Sequence, residues 1–159
     1  MQNTSVEHTN ITLIYEYTES VLKGVNDSIK SLNTKLSSVI GLSGVLLKFT
    51  SDLNHDTSWF IGLQVLICFL LVTASWVGFL GLQPKNVGDI VRPKELRESF
   101  YYSTDEECRR YIVDNWINAI DQLDQNRDEK QEHLNAAIAC FALATSLFGL
   151  DICLNCLVW

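Results

Sequence analysis

From Tyr15 onward, apolar or small residues recur in alternating steps of three and four: Tyr15, Thr18, Leu22, Val25, Ile29, Leu32, Leu36 and Val39. A seam of that spacing lies along one side of an α-helix and presents it to a partner. Glu19, Lys23, Asp27 and Lys30 fall off the seam. The pattern predicts an amphipathic heptad helix over residues 1–35. Two readings satisfy it: the helix packs on the protein's own remaining helices, or copies self-associate through Leu22, Val25, Ile29, Leu32 and Leu36.

The pattern then changes from periodic to uniformly apolar. Trp59 to Leu82 holds no charged side chain, and at ~1.5 Å per residue its helix is long enough to cross ~30 Å of hydrocarbon. Leu134 to Trp159 is similar and is charged only at Asp151. That carboxylate is expected near the interface, in reach of headgroup water. These blocks predict membrane helices over 59–82 and 134–159. A third candidate is shorter, because Lys35 and Lys48 bracket the apolar run Leu36 to Leu47. Lys48 can snorkel, which extends the candidate to residues 36–53.

Charge in the connections orders the spans, since short cytoplasmic loops are enriched in Lys and Arg. Between the first two spans, an external turn over 54–58 has no basic residue, whereas Met1 to Lys35 and Gln83 to His133 hold three and eight. Three spans put both basic regions on the cytoplasmic side of the inner (plasma) membrane. Two spans would leave the amino-terminal segment outside. Small residues recur within the spans, with Gly41 and Gly44 on the first, Gly78 and Gly81 on the second, and Ala142 and Ser146 on the third. That spacing lets membrane helices approach closely. Pro84, Gly88 and Pro93 interrupt helix after the second span. Helix resumes near Lys94, and Thr104 with Glu107 has capping-box spacing ahead of Cys108, Ile112, Trp116, Ile120 and Leu123. Region 83–133 is thus a linker followed by an amphipathic helix, with no later Pro or Gly before Gly149. The predicted fold class is all-α: an integral membrane helical bundle with long cytoplasmic helical extensions.

Composition agrees with this picture. The 159-residue chain has 19% charged residues and a mean hydropathy of +0.10, unusual for a soluble domain of this size. Its net charge of −7 weighs against nucleic acid as a partner. Four of the five cysteines fall in apolar blocks, which points to reduced thiols rather than a disulfide framework. The local basic group Arg92, Lys94, Arg97, Arg109 and Arg110, with Tyr101 and Tyr102, could contact an anion such as a nucleotide or lipid headgroup. Those residues can equally be positive flanks of a span, because Gln83 to His133 carries twelve acids against eight bases. Cys153 and Cys156 form a CxxC without a second ligand pair, so no metal site is expected. Arg127 and His133 meet the loose spacing of HEPN ribonucleases in acidic surroundings, and no other catalytic motif is present. The chain is expected to be non-enzymatic, with no catalytic residue and no cofactor.

The passage Asn33-Thr34-Lys35-Leu36, followed by Ser38-Val39-Ile40-Gly41-Leu42-Ser43-Gly44-Val45-Leu46-Leu47, resembles the small membrane effectors of nucleotide-signalled antiphage systems. These are the Pycsar transmembrane effectors and the transmembrane effector domain associated with SMODS nucleotidyltransferases. The motif covers about fifteen residues, and the order of helices matches more widely. Trp116, Ile117 and Ile120 are also similar to an element of uncharacterised cyanobacterial membrane proteins. The effector resemblance implies a homo-oligomer acting on the lipid bilayer, as a pore or by disruption, when a cyclic nucleotide or a nucleotide-sensing partner protein triggers it. It transfers no ligand residue to the basic group. The alternative is an accessory or scaffold subunit of a larger membrane complex.

Overall fold

The computed structural model describes residues 4–52, 58–85 and 93–158, together with side chains over most of that span. The expected turn at 54–57, Arg92 and the rest of the linker from 86 onward, His55 and Trp159 lie outside the described residues. The described residues form four helices, α1 (Thr4–Ser51), α2 (Ser58–Leu82), α3 (Pro93–Phe100) and α4 (Asp105–Val158), and no strand. The all-helical expectation therefore holds.

Local chemistry accounts for the ends of these helices. Proline needs no backbone donor at the first position of a helix, where Pro93 opens α3. At the start of α4, the backbone N–H of Thr104 donates to Glu107 Oε2 and the N–H of Glu107 donates to Thr104 Oγ1, each at 3.3 Å. This is a reciprocal capping box, and helix runs uninterrupted from it through the apolar carboxy-terminal block. Pro84 follows shortly after the last turn of α2, which tightens through Gln83 N–H donating to the Leu80 carbonyl at 3.3 Å.

The seam that starts at Tyr15 continues through the apolar part of α1. Ser43, Leu46 and Thr50 extend the spacing, and every seam position from Tyr15 to Thr50 is buried or half-buried. A matching seam runs along α4 through Val113, Trp116, Ile120, Leu123, Arg127, Lys130, Leu134, Ala137, Phe141, Ala144, Phe148 and Asp151. On α2 it reads Gln64, Ile67, Leu71, Ala74, Gly78 and Gly81.

The chain divides into two compact units, and both draw on α1 and α4. The polar unit holds the residues up to Lys30 and those from Lys85 to Asp128. There Tyr15 lies against Trp116, with ring centroids 4.8 Å apart, and Phe100 of α3 lies against Tyr111 at 4.6 Å. Val25, Val113 and Ala119 are buried.

The apolar unit holds Ser31–Pro84 and Glu129–Trp159. One cluster joins Leu32, Leu36 and Val39 of α1 to Leu134 and Ala137 of α4, with Val77, Leu82 and Phe141 packed against it. A second joins Ile67, Leu71 and Ala144 to Leu46, Leu47, Leu63, Leu147 and Phe148. Rising numbers on α1 meet rising numbers on α4 and falling numbers on α2, so α1 and α4 run parallel and α2 runs against them. Gly78 and Gly81 allow the closest approaches. A Cβ on Gly78 would stand 2.9 Å from Ile40 Cγ1, and one on Gly81 would stand 2.9 Å from His133 Cβ and 3.0 Å from Leu36 Cδ1.

Gly24, by contrast, has nothing within 4 Å of an added Cβ. Gly81→Val should overpack the apolar unit and lose about 1–3 kcal/mol. Gly24→Ala should gain up to about 1 kcal/mol from helix propensity alone. Thermal unfolding of the detergent-solubilised variants, followed by far-ultraviolet circular dichroism, checks both signs.

Candidate functional site

The apolar unit buries polar groups beside its Leu and Ile clusters and leaves many large apolar side chains outside. Ser43, Thr50 and Asp151 have no exposed surface, and Lys130 is nearly as buried. Leu42, Val45, Phe49, Val65, Phe69, Val72, Trp76, Phe79 and Leu143 are all exposed. In water that distribution would be unfavourable on both counts, since burial favours apolar groups and charges polar ones a desolvation penalty. In hydrocarbon the cost of outward apolar side chains disappears and polar groups are better placed inside. The helix windows apolar enough to cross a bilayer are Trp59–Leu82 and one within α4, and only 28% and 17% of them are buried. The core helix of a soluble protein would be mostly covered. The apolar stretch of α1 is not among these windows.

Of these buried polar groups, Ser43 and Thr50 bond within their own helix and Lys130 bonds to a neighbouring one. The Ser43 hydroxyl donates back to the Val39 carbonyl and the Thr50 hydroxyl to the Leu46 carbonyl, both at 2.8 Å. These bonds satisfy the hydroxyls within their own helix. The last carbonyls of a helix lack intrahelical donors, and here neighbouring helices supply them. Gln64 Nε2 of α2 donates to the Thr50 carbonyl near the end of α1, at 2.6 Å. Lys130 Nζ of α4 donates to the Gly81 carbonyl at the end of α2, also at 2.6 Å. A cation at that end also opposes the helix dipole.

Asp151 continues the α4 seam and is fully buried, so its carboxylate is turned in among the packed helices instead of lying open at the surface as expected. The spacing that carries it inward is visible only once the seam is followed through Lys130, Ala137 and Ala144.

The basic group named from the sequence is not gathered into one cluster of free cations. Arg92 lies outside the described residues. Lys94 and Arg97 are exposed on α3, where Lys94 pairs loosely with Glu98 at 3.9 Å. Arg109 is held within the polar unit: it donates to Asp105 Oδ2 at 2.8 Å and to Thr12 Oγ1 at 3.5 Å, and lies 5.6 Å from the Tyr15 ring centroid. Arg110 is exposed. Arg127 pairs with Asp124 at 2.9 Å and Asp128 at 3.1 Å, while His133 packs its Cβ against Gly81. The ribonuclease-like pair thus has structural partners at both residues.

Of the seam residues proposed for self-association, Val25, Leu32 and Leu36 are buried within the single chain and Leu22 and Ile29 are half-buried. Gly78 and Gly81 lie at helix contacts, but Gly41 and Gly44 face outward with nothing within 4 Å. The inner face of α1 at that level is formed instead by Ser43, because the seam passes between the two glycines. Cys68, Cys108, Cys140 and Cys153 are free thiols, and no group of three or more His, Cys, Asp or Glu suited to a metal occurs among the described residues.

No family model, curated protein or solved structure matches the chain. The functional reading therefore rests on the geometry of the two units.

Lys130 is the polar contact that sequence reasoning did not single out. Lys130→Met keeps the aliphatic stem and removes the bond to the Gly81 carbonyl. It should destabilise the chain by about 1–3 kcal/mol, the range for an orphaned buried partner. An unchanged unfolding midpoint would show that Lys130 does not cap α2.

Proposed function

We propose that the chain is a multi-pass, non-enzymatic membrane effector. Its apolar unit is embedded in the bilayer and acts on the bilayer itself. The observation that carries this reading is the outward face of that unit, where large Phe, Trp, Val and Leu side chains are exposed while Ser43, Thr50, Lys130 and Asp151 lie buried beside the apolar clusters. The outward residues Leu42, Val45 and Phe49 support α1 as a third crossing beside α2 and α4. Lys48, exposed and paired with Asp52 at 2.8 Å, suits the water-facing end of such a crossing. The loop charges favour cytoplasmic placement of the amino-terminal region and of residues 83–133.

The resemblance to nucleotide-signalled antiphage effectors supplies the biological setting of this proposal: a trigger sensed by the chain or a partner, followed by damage to the membrane barrier. The engaged state of Arg109 favours sensing by a partner over an anion pocket in the polar unit. Inducible overproduction in bacteria, with a voltage-sensitive dye as readout, tests the proposal. An effector should depolarise the cells and arrest growth. An intact membrane potential, with the chain recovered from membranes in a stoichiometric complex with another protein, would contradict it and favour the accessory-subunit reading.

A further inference from the structure

The apolar unit leaves two outward stripes of small residues that nothing among the described residues covers. On α1, opposite the seam, these are Ser37, Gly41 and Gly44, all exposed. On α4 they are Ala139, Ala142, Ser146 and Gly149, also exposed. A Cβ added to Gly41, Gly44 or Gly149 meets nothing within 4 Å. The corresponding stripe on α2 is bulky: Val65, Phe69, Val72, Trp76 and Phe79. Large side chains suit fluid acyl chains, whereas small ones let another helix bring its backbone close. Glycine inside a helix is unfavourable relative to alanine, and no contact among the described residues requires it at these three positions.

Charge selects which stripes meet. Followed toward the amino end at the same spacing, the α4 stripe reads Glu132, Asp128, Gln125 and Asp121, while the α1 stripe reads Thr34, Lys30, Asp27 and Lys23. In a parallel symmetric pair each residue faces its own copy. Pairing α4 with α4 therefore sets acid on acid, and pairing α1 with α1 sets Lys on Lys. The contacts inside each unit fix the level of α1 against α4. Thr12 meets Arg109 and Tyr15 meets Trp116 in the polar unit, and Leu36 clusters with Leu134 and Ala137 in the apolar unit. At those levels Lys23 matches Asp121, Lys30 matches Asp128, Asp27 matches Gln125, and Gly41 and Gly44 match Ala139 and Ala142. Glu16 against Asp114, at the far end, is the one like-charge match. Copies inserted the same way in one bilayer share a depth, so the levels within a chain also hold between chains.

We infer that copies of this chain assemble head to tail, with the outward stripe of α1 on one copy docked against the outward stripe of α4 on the next. The inference rests on the membrane reading above. Such a contact is heterologous, so it either closes into a ring or continues as an open array. It leaves the buried seams untouched. Lys30 and Asp128 have partners within their own chain, exposed Asp27 at 3.3 Å and half-buried Arg127 at 3.1 Å. Pairs at or near the surface contribute little free energy each.

The test uses the full chain with its five native cysteines replaced, carrying either Gly41→Cys or Ala139→Cys, reconstituted in lipid vesicles and oxidised. The two variants mixed should form a disulfide-linked dimer that neither forms alone. A link in either variant alone, or none in the mixture, would overturn the inference. As an independent measurement with the native cysteines kept, Gly41→Leu combined with Gly44→Leu, which meets open space in the monomer, should abolish the oligomer in lipid nanodiscs by mass photometry. Retention of the native size would overturn it equally. Alkaline extraction of the same membranes is scored separately, since release of the chain would refute the membrane reading without deciding the contact between copies.

Discussion

The approach of α2 to its neighbours at Gly78 and Gly81 sets the rest of the apolar unit. A single methyl group at either position would collide with Ile40, Leu36 or His133. Because none is there, the α2 backbone lies near enough to α4 for Lys130 to reach the Gly81 carbonyl. The same proximity of α2 and α1 at the opposite end of the unit lets Gln64 reach the Thr50 carbonyl. Two helix ends that would otherwise present bare carbonyls are closed by side chains from adjacent helices. Where no water competes, those bonds are stronger and their absence is more costly.

From that constraint follows the division of labour around each helix. The seam faces place small or polar residues, Ser43, Thr50, Ala74, Ala137, Ala144 and Asp151, between buried Leu and Ile side chains. The outward faces hold most of the bulk. Helices in hydrocarbon gain little from hiding apolar side chains from one another and depend on close packing and interhelical hydrogen bonds. The close contacts at Gly78 and Gly81 and the interhelical bonds of Gln64 and Lys130 are of that kind. The polar unit follows the terms of water, with aromatic contacts such as Tyr15 with Trp116 inside and ion pairs such as Arg109 with Asp105 at its surface.

Much of this was legible in the sequence. The three-four spacing from Tyr15, the capping box at Thr104 and Glu107, and the two long apolar blocks were enough to locate α1, α2 and α4 and the all-helical class. Each is a local signal, determined within one or two helical turns. What could not be read was which face of the uniformly apolar stretches turns inward. Gly41 and Gly44 have the same spacing as Gly78 and Gly81, yet only the second pair meets a neighbour, because small-residue spacing does not encode direction. Asp151 looked like an interfacial carboxylate from its distance to the end of the block. Its burial depends on a seam phase established at Lys130 and beyond. The same limit applied to the heptad helix, whose pattern was equally compatible with a partner in the same chain or in another copy.

The central claim is that the outward face of α2 lies in acyl chains. Trp76, exposed on that face, reports on it directly. In a variant retaining Trp76 as its sole tryptophan and reconstituted in lipid vesicles, its fluorescence should be blue-shifted and strongly quenched by phospholipids brominated along the acyl chain. A red-shifted emission insensitive to brominated lipid, and quenched instead by iodide in the aqueous phase, would contradict the account.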